Sequence, residues 1–220
     1  MDAVHCFKQG YAESFEEFTL RNGLDKKTII ALLAGSRKQG IKDNLQLMIH
    51  ASRNYTEYQF VIAGAPGISP EFYQAYMGDD TKIIFGQTYS LLSHATAALV
   101  TSGTATLETA LFRVPQVVCY YTAAGKLVSF LRRHILKVKY ISLVNLIAGR
   151  EVVAELVADG MTAENVKLQL EAILPGQMTR EQMLQNYDAL IKILGQEGAS
   201  ERAAGKIVEL LSQKYNRSLQ

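Results

Sequence analysis

Residues 97–111, AALVTSGTATLETAL, pass from an apolar run through a turn of small polar residues into a helical pattern. The run 97–103 is predicted to be a strand, because it begins with four consecutive apolar residues. Gly103 breaks the run, and Thr104 opens a helix. The stretch therefore predicts a strand, a turn and a helix in immediate succession, which is the repeating unit of an α/β sheet.

Similar apolar runs recur on both sides of this stretch. One of them begins at Gln59 and ends in a Gly/Pro loop, and amphipathic segments separate the runs from one another. The other predicted strands are 28–34, 82–85, 116–121 and a short run at 140–144, and the predicted helices lie near 41–49, 70–77, 89–95 and 126–137. Strands that alternate with helices predict a doubly wound parallel sheet, whose ligand crevice lies at the carboxyl ends of the strands.

The pattern changes after Gly149, where the remaining segments have a helical period and are separated by Gly or Pro. We therefore expect a run of helices there, and this includes residues 150–160. The predicted organisation is an N-terminal remnant at 1–26, an α/β domain at 27–175 and C-terminal helices at 176–220. The α/β domain is expected to carry the function, because it contains the crevice.

Composition and missing motifs exclude several function classes. The 220 residues include 23 basic and 21 acidic side chains spread along the chain, so nucleic acid is not an expected partner. The sequence has neither a GxxxxGK[ST] loop nor a GxGxxG motif, and its four histidines lack metal-ligand spacing, so no cofactor and no metal are expected. It also lacks a leader-like start and an apolar run of about 18 residues, which predicts a cytoplasmic protein.

The turn after the 97–103 strand is a candidate anion site. Ser102, Gly103 and Thr104 lie where the free N–H groups of a helix N-terminus favour negative charge. Gly103 permits close backbone approach, and the hydroxyls of Ser102, Thr104 and Thr106 can donate further hydrogen bonds. Ordinary helix capping would explain one hydroxyl but not the cluster, so a phosphate site is the preferred interpretation.

The loop after the first strand has the same character. Gly35 and Ser36 are followed by Arg37, whose planar guanidinium suits phosphate oxygens, although a surface salt bridge would also explain an arginine here. Two anion-binding loops at one sheet edge suggest a diphosphate. Glu108 remains open between two compatible roles: a partner of the helix dipole, or an acceptor for a vicinal diol such as that of a nucleotide ribose.

The segment 126–137, KLVSFLRRHILK, combines apolar and basic residues at helical spacing. Such a helix can lie on a membrane surface, or it can pack on the core and present a basic outer face. Both interpretations remain open from the residues alone.

Three stretches in this order and spacing resemble the lipid-A-disaccharide synthase family: LLAGSRKQGIKDNL, SGTATLETALFRVPQVVCYY and KYISLVNLIAGREVVAEL. The resemblance extends from about Thr28 to the C-terminus. It implies a GT-B glycosyltransferase that transfers 2,3-diacylglucosamine from its UDP derivative to the lipid acceptor 2,3-diacylglucosamine 1-phosphate, by inverting displacement without a metal. It also implies work at the cytoplasmic face of the inner membrane, with peripheral membrane contact.

The resemblance also implies roles for individual residues. It places Arg37 at the donor phosphates and Glu108 at the ribose, with the loop 85–88 and its Gln87 beside the uracil, and it makes Asn145 a donor-site candidate. The complete set of expected UDP-sugar-binding residues is Gly35, Ser36, Arg37, Gln87, Ser102, Gly103, Thr104, Thr106, Glu108 and Asn145. Gly40 and Val144 depart from the family pattern, which usually has Glu and Pro at these positions.

GT-B enzymes have two α/β domains, and the resemblance covers the second one. The first is expected to supply the acceptor site and the catalytic base, so this chain is interpreted as a donor-binding half that is inactive alone. Two alternatives stay open: a non-catalytic UDP-binding module that acts with a separate N-terminal chain, and a fragment similar to a UDP-sugar 2-epimerase. The helical tail and the half-domain character also suggest a homo-oligomer.

Overall fold

A computed structural model of the chain describes residues 2–53, 55–78, 81–101, 103–121, 139–195 and 204–208. Its centre is one sheet of six parallel strands, which confirms the predicted α/β class. The strands are β1 Thr28–Leu33, β2 Tyr58–Gly64, β3 Lys82–Phe85, β4 Ala95–Val100, β5 Gln116–Tyr120 and β6 Ala154–Val157. Their order across the sheet is β3-β2-β1-β4-β5-β6.

Helices connect the strands and cover both faces of the sheet. In chain order they are α1 Asp2–Gly10, α2 Phe15–Arg21, α3 Lys38–Ser52, α4 Pro70–Gln74, α5 Thr88–His94, α6 Thr104–Leu111, α7 Leu143–Ala148, α8 Ala163–Ala172 and α9 Met178–Leu194. A short 3-10 turn, Ala158–Gly160, follows β6, and residues 204–208 are helical. In the part of the chain described here, no helix has both the length and the apolar character that crossing a bilayer requires.

The central strand β1 contributes to two hydrophobic cores. Ile30 and Leu32 belong to the core on one face of the sheet, whereas Ile29, Ala31 and Leu33 belong to the core on the other. Successive side chains of a strand point to opposite faces, so a strand that is covered on both sides must be apolar throughout. This double burial explains why the TIIALL run has no polar alternation.

The C-terminal helix α9 packs on the sheet domain and does not project from it. Met183, Tyr187 and Leu190 are buried in the same core as the β1 side chains Ile30 and Leu32. The boundary predicted at 175–176 therefore lies between segments that share one hydrophobic core.

Two predictions of local structure were wrong. The predicted strand at 140–144 is irregular at Tyr140 and Ile141, and Ser142 caps helix α7 by accepting a hydrogen bond from a backbone N–H. The predicted helix at 150–160 contains strand β6. The apolar residues on either side of Glu155 fit either period, and pairing of Ala154–Val157 with β5 decides in favour of a strand.

The strand order places a switch point between β1 and β4. From β1 the chain moves outward through β2 and β3, and it then returns to β4 and moves outward in the other direction through β5 and β6. β1 and β4 are neighbours, and the loops that follow them lead toward opposite edges of the sheet. The two loops therefore leave a crevice between them. Ligands of open parallel sheets bind at such a point.

Candidate functional site

A cleft of about 730 Å³ lies at the carboxyl ends of β1, β4 and β5. Tyr120 and Tyr121, at the end of β5, line it and are 40% and 38% exposed. The described residues that line the cleft are Ala34, Gly35, Ser36, Arg37, Gln39, Gly40, Asp43, Asn44, Thr101, Tyr120, Tyr121 and Ile141. The cleft occupies the crevice that the sheet topology creates.

The loop after β1 forms one wall of the cleft. Gly35 has a φ of +100°, which favours glycine, and the loop leads directly into α3. Helix α3 begins without a side-chain cap, so the N–H groups of its first turn have no side-chain acceptor there. The guanidinium of Arg37 has no ion-pair partner among the residues that the structure describes, which argues against the salt-bridge interpretation.

Thr101, directly after β4, is a cleft residue that sequence reasoning did not include in the site. It is only 8% exposed, and its Oγ1 forms no hydrogen bond within the described part of the chain. A buried hydroxyl without a partner is uncommon and costs stability, unless a ligand or water completes it. The signal in the sequence was a hydroxyl residue at the carboxyl end of a buried apolar strand.

The turn that opens α6 contains most of the predicted anion site. Gly103 has a φ of +136°, and α6 also begins without a side-chain cap. Thr104 is exposed, whereas Thr106 is buried and donates its hydroxyl to the Gly103 carbonyl at 2.8 Å. Thr106 therefore stabilises the turn from inside, while Ser102 lies outside the described residues.

A buried amide connects this turn to the C-terminal helix. Gln116 is fully buried, and its Nε2 donates to the Thr106 carbonyl at 2.9 Å and to the Tyr187 hydroxyl oxygen at 3.1 Å. Gln116 opens β5, Thr106 lies in the first turn of α6, and Tyr187 lies in α9. The position of the α6 turn therefore depends on how α9 packs.

Glu108 lies one turn further along α6 and is half-buried. It accepts a hydrogen bond on Oε1 from the hydroxyl of Tyr89, at 3.1 Å. Burial is the main cause of a raised pKa of Tyr89, and the negative charge of Glu108 raises this pKa further. The tyrosine hydroxyl therefore keeps its proton at neutral pH.

Gln87, at the start of α5, forms hydrogen bonds with Asn22, which directly follows α2. The Gln87 amide donates to Asn22 Oδ1 at 2.8 Å, and the Asn22 amide donates to Gln87 Oε1 at 3.4 Å. The loop 85–88 is thereby held against the N-terminal segment.

Asn145 is fully buried beside the cleft, and its amide is occupied by four hydrogen bonds. Its Oδ1 accepts from the backbone N–H groups of Val152 and Val153, at 2.7 and 3.0 Å. Its Nδ2 donates to the Val153 carbonyl at 2.8 Å and to Glu155 Oε1 at 2.9 Å. An asparagine amide has two donor hydrogens, so both are used within the protein.

Glu155 completes this network behind the cleft wall. Its carboxylate accepts hydrogen bonds from the backbone N–H groups of Ile141 and Ser142, at 2.9 and 3.0 Å, and from the Ser142 hydroxyl at 2.7 Å. Because Ile141 lines the cleft, Asn145 and Glu155 together fix one of its walls.

The structure thus brings some predicted site residues together and separates others. Gly35, Ser36 and Arg37 line the cleft with Thr101. The other predicted residues that the structure describes are not among the lining residues: Gln87, Gly103, Thr104, Thr106, Glu108 and Asn145. Within the described ranges, no group of three or more His, Cys, Asp and Glu side chains is placed to hold a metal ion.

The fold and the cleft define a class of protein. The chain's six-stranded parallel α/β sheet is the fold that it shares with solved glycosyltransferases and epimerases of the GT-B class. One solved structure with this fold is MnaA of S. aureus in a co-structure with UDP, with a TM-score of 0.58 and 17% identity over 96% of this chain and 53% of that one.

The chain belongs to the lipid-A-disaccharide synthetase family, whose model matches residues 7–208. The lipid-A-disaccharide synthase of Syntrophus aciditrophicus (strain SB) is 34% identical over 90% of this chain and 53% of the relative. That of Myxococcus xanthus (strain DK1622) is 36% identical over 88% of this chain and 52% of the relative. The chain therefore spans about half the length of the curated relatives that it matches.

Proposed function

We propose that this chain is the UDP-sugar-binding half of a lipid-A-disaccharide synthase. In this proposal the donor is UDP-2,3-diacylglucosamine, the acceptor is 2,3-diacylglucosamine 1-phosphate, and the products are lipid A disaccharide and UDP. The observation that carries the proposal is the cleft at the β1/β4 switch point, which is lined by Arg37 and by Thr101, whose buried hydroxyl has no partner among the described residues.

The chemistry of this cleft suits a diphosphate. Arg37 can supply a charge-assisted hydrogen bond, and α3 and α6 both begin at the switch point without a side-chain cap. The helix dipoles add positive potential at these two starts, and the positive φ of Gly35 and Gly103 shapes the approach to each. The fold neighbour MnaA, which was solved with UDP, supports a nucleoside diphosphate as the ligand.

Residues outside the cleft lining are assigned to the rest of the nucleotide. Glu108 accepts hydrogen bonds from the ribose diol, and the loop 85–88 lies beside the uracil. Both amide hydrogens of Asn145 are already donated within the protein, so we assign this residue a structural role instead of a contact with the donor. It holds the cleft wall in place and does not contact the donor.

Alone, the chain is proposed to bind UDP without catalysing transfer. The acceptor site and the catalytic base are expected on the other domain of the GT-B cleft, and this chain spans about half of its relatives' length. In the complete enzyme we expect peripheral contact with the cytoplasmic face of the inner membrane, and self-association of the chain is also expected. The basic segment 126–137, which could make the membrane contact, lies outside the described residues.

Isothermal titration calorimetry of the purified chain with UDP, UMP and UDP-GlcNAc tests the donor site. We expect UDP to bind more tightly than UMP, because the second phosphate adds charge-assisted contacts. Arg37→Ala should weaken UDP binding by about 1 to 3 kcal/mol. Arg53→Ala, at the other end of α3, is the matched control and should bind UDP normally.

Two outcomes would contradict the proposal. No binding of UDP at millimolar concentration would remove the donor site from this chain. Formation of disaccharide by the chain alone, supplied with both lipid substrates, would disprove the half-enzyme assignment. The family match favours a synthase over a UDP-sugar 2-epimerase, the other enzyme class that the sequence left open.

A further inference from the structure

Tyr89 and Glu108 are linked across two neighbouring helices. Tyr89 lies in the first turn of α5 and Glu108 in the second turn of α6, and the tyrosine hydroxyl donates to Glu108 Oε1 at 3.1 Å. The two residues are 19 positions apart, so the bond depends on how the two helices pack.

The ring of Tyr89 is held by other aromatic rings. It lies edge-on to Phe7 with a centroid distance of 5.5 Å and packs against Phe112 at 5.3 Å. These contacts restrict the ring, so its hydroxyl is presented to Glu108 in a fixed direction. The raised pKa of Tyr89 keeps that hydroxyl a donor over the neutral range.

The hydrogen bond leaves Glu108 with unused acceptor capacity. A carboxylate has about four lone-pair sites, and the tyrosine occupies one of them on Oε1. Among the residues that the structure describes, none donates a hydrogen bond to the second oxygen, Oε2. A carboxylate that is oriented through one oxygen can accept from both hydroxyls of a vicinal diol with its remaining lone pairs.

We propose that Tyr89 is a positioning residue that orients the Glu108 carboxylate for the ribose diol. This inference rests on the proposed UDP-sugar site. Glutamate has several rotatable bonds, and ordering it before the ligand arrives removes an entropic cost from binding. The tyrosine itself touches no part of the nucleotide in this arrangement.

The test is calorimetry of Tyr89→Phe with UDP and with 2′,3′-dideoxy-UDP, which lacks the diol. Phenylalanine retains the ring contacts, so the urea unfolding midpoint should change little. We expect UDP affinity to fall roughly fivefold to tenfold and dideoxy-UDP affinity to stay the same. Tyr55→Phe is the matched control, because it removes a hydrogen bond from a tyrosine hydroxyl to another carboxylate, that of Glu171.

A double-mutant cycle separates positioning from a general structural effect. In a Glu108→Gln background, Tyr89→Phe should no longer reduce UDP affinity. An equal loss for UDP and dideoxy-UDP, or an unchanged UDP affinity of Tyr89→Phe, would overturn this inference and leave the proposed function intact. Failure of the unaltered chain to bind UDP would overturn the proposed function and this inference together.

Discussion

The backbone N–H of Thr101 donates to the carbonyl of Leu33 at 2.8 Å, so the loops after β4 and β1 separate at a shared hydrogen bond. The cleft opens directly beyond this hydrogen bond. This bond fixes Thr101 in the cleft wall, with its hydroxyl unpartnered among the described residues.

Replacement of this hydroxyl should lower UDP affinity without lowering the stability of the chain. Thr101→Val removes a buried polar group without a partner and retains the side-chain shape, so the free energy of unfolding should stay the same or rise by about 1 kcal/mol. UDP affinity should fall at least about threefold, because a hydrogen bond to the ligand is lost. Urea unfolding and calorimetry measure the two quantities.

Thr109→Val provides the matched control on α6. The Thr109 hydroxyl is buried and donates to the Ala105 carbonyl at 2.7 Å, so its removal should not stabilise the chain. A clear loss of stability in Thr101→Val, with unchanged UDP affinity, would show that its hydroxyl has a structural role.

Tyr187→Phe should destabilise the chain by about 1 to 2 kcal/mol, because Gln116 loses an acceptor in a fully buried environment. Chemical denaturation measures the loss. The hydroxyl of Tyr76 makes no hydrogen bond to a described residue, so Tyr76→Phe should change stability by less than about 0.5 kcal/mol. Equal effects of the two substitutions would contradict the importance of the Gln116 contact.

Asn145→Ala should cost about 3 kcal/mol or more, because it leaves several buried backbone and side-chain groups without partners. Asn165, whose Nδ2 donates to the Gly160 carbonyl in an exposed position, is a matched comparison. Asn165→Ala should cost less than about 1 kcal/mol. A small loss for Asn145→Ala in urea unfolding would mean that the network is not structural.

The stability of the chain should fall on mild acidification, in part because of His94. Burial lowers the pKa of His94, against the opposing effect of nearby Glu13 and Glu16. The unfolded chain therefore binds a proton more readily than the folded chain, and stability decreases as the pH falls through and below about 6.5. Urea unfolding between about pH 7.5 and 5.5 measures this slope.

His94→Gln should flatten part of that slope, whereas His50→Gln, at an exposed site on α3, should leave it unchanged. An identical pH dependence in His94→Gln and the unaltered chain would rule out the contribution of His94.

The sequence was sufficient for the central strand β1 and for the edge strand β3. The run at 28–33 has no polar alternation because both cores cover it, and the 82–85 strand was predicted at its observed bounds. The segment around β6 could not be assigned in this way, because a short segment whose apolar residues are interrupted by Glu155 fits a helix as well as a strand. Pairing with β5, a contact across many residues, decides its structure.

The candidate site also contains features that the sequence could predict and features that it could not. Arg37 could be placed at the cleft because its loop follows a strand, and parallel strands end at one edge of the sheet. The position of Thr101 at the end of a buried strand was a local signal, but the sequence does not show that its hydroxyl lacks a partner among the described residues or that the amide of Asn145 is fully occupied. Each depends on which atoms the folded chain brings within hydrogen-bond distance, even though the partners of the Asn145 side chain follow it by only 7 to 10 residues.

The hydrogen bonds of Gln116 have a consequence for any attempt to shorten the chain. Helix α9 supports the glycine turn of α6, because the Gln116 amide donates to both the Tyr187 hydroxyl and the Thr106 carbonyl. A cut at residue 175 would preserve all six strands yet release the support of the α6 turn. A shortened chain that is meant to keep the α6 turn in place should therefore extend through Leu194, the last residue of that helix.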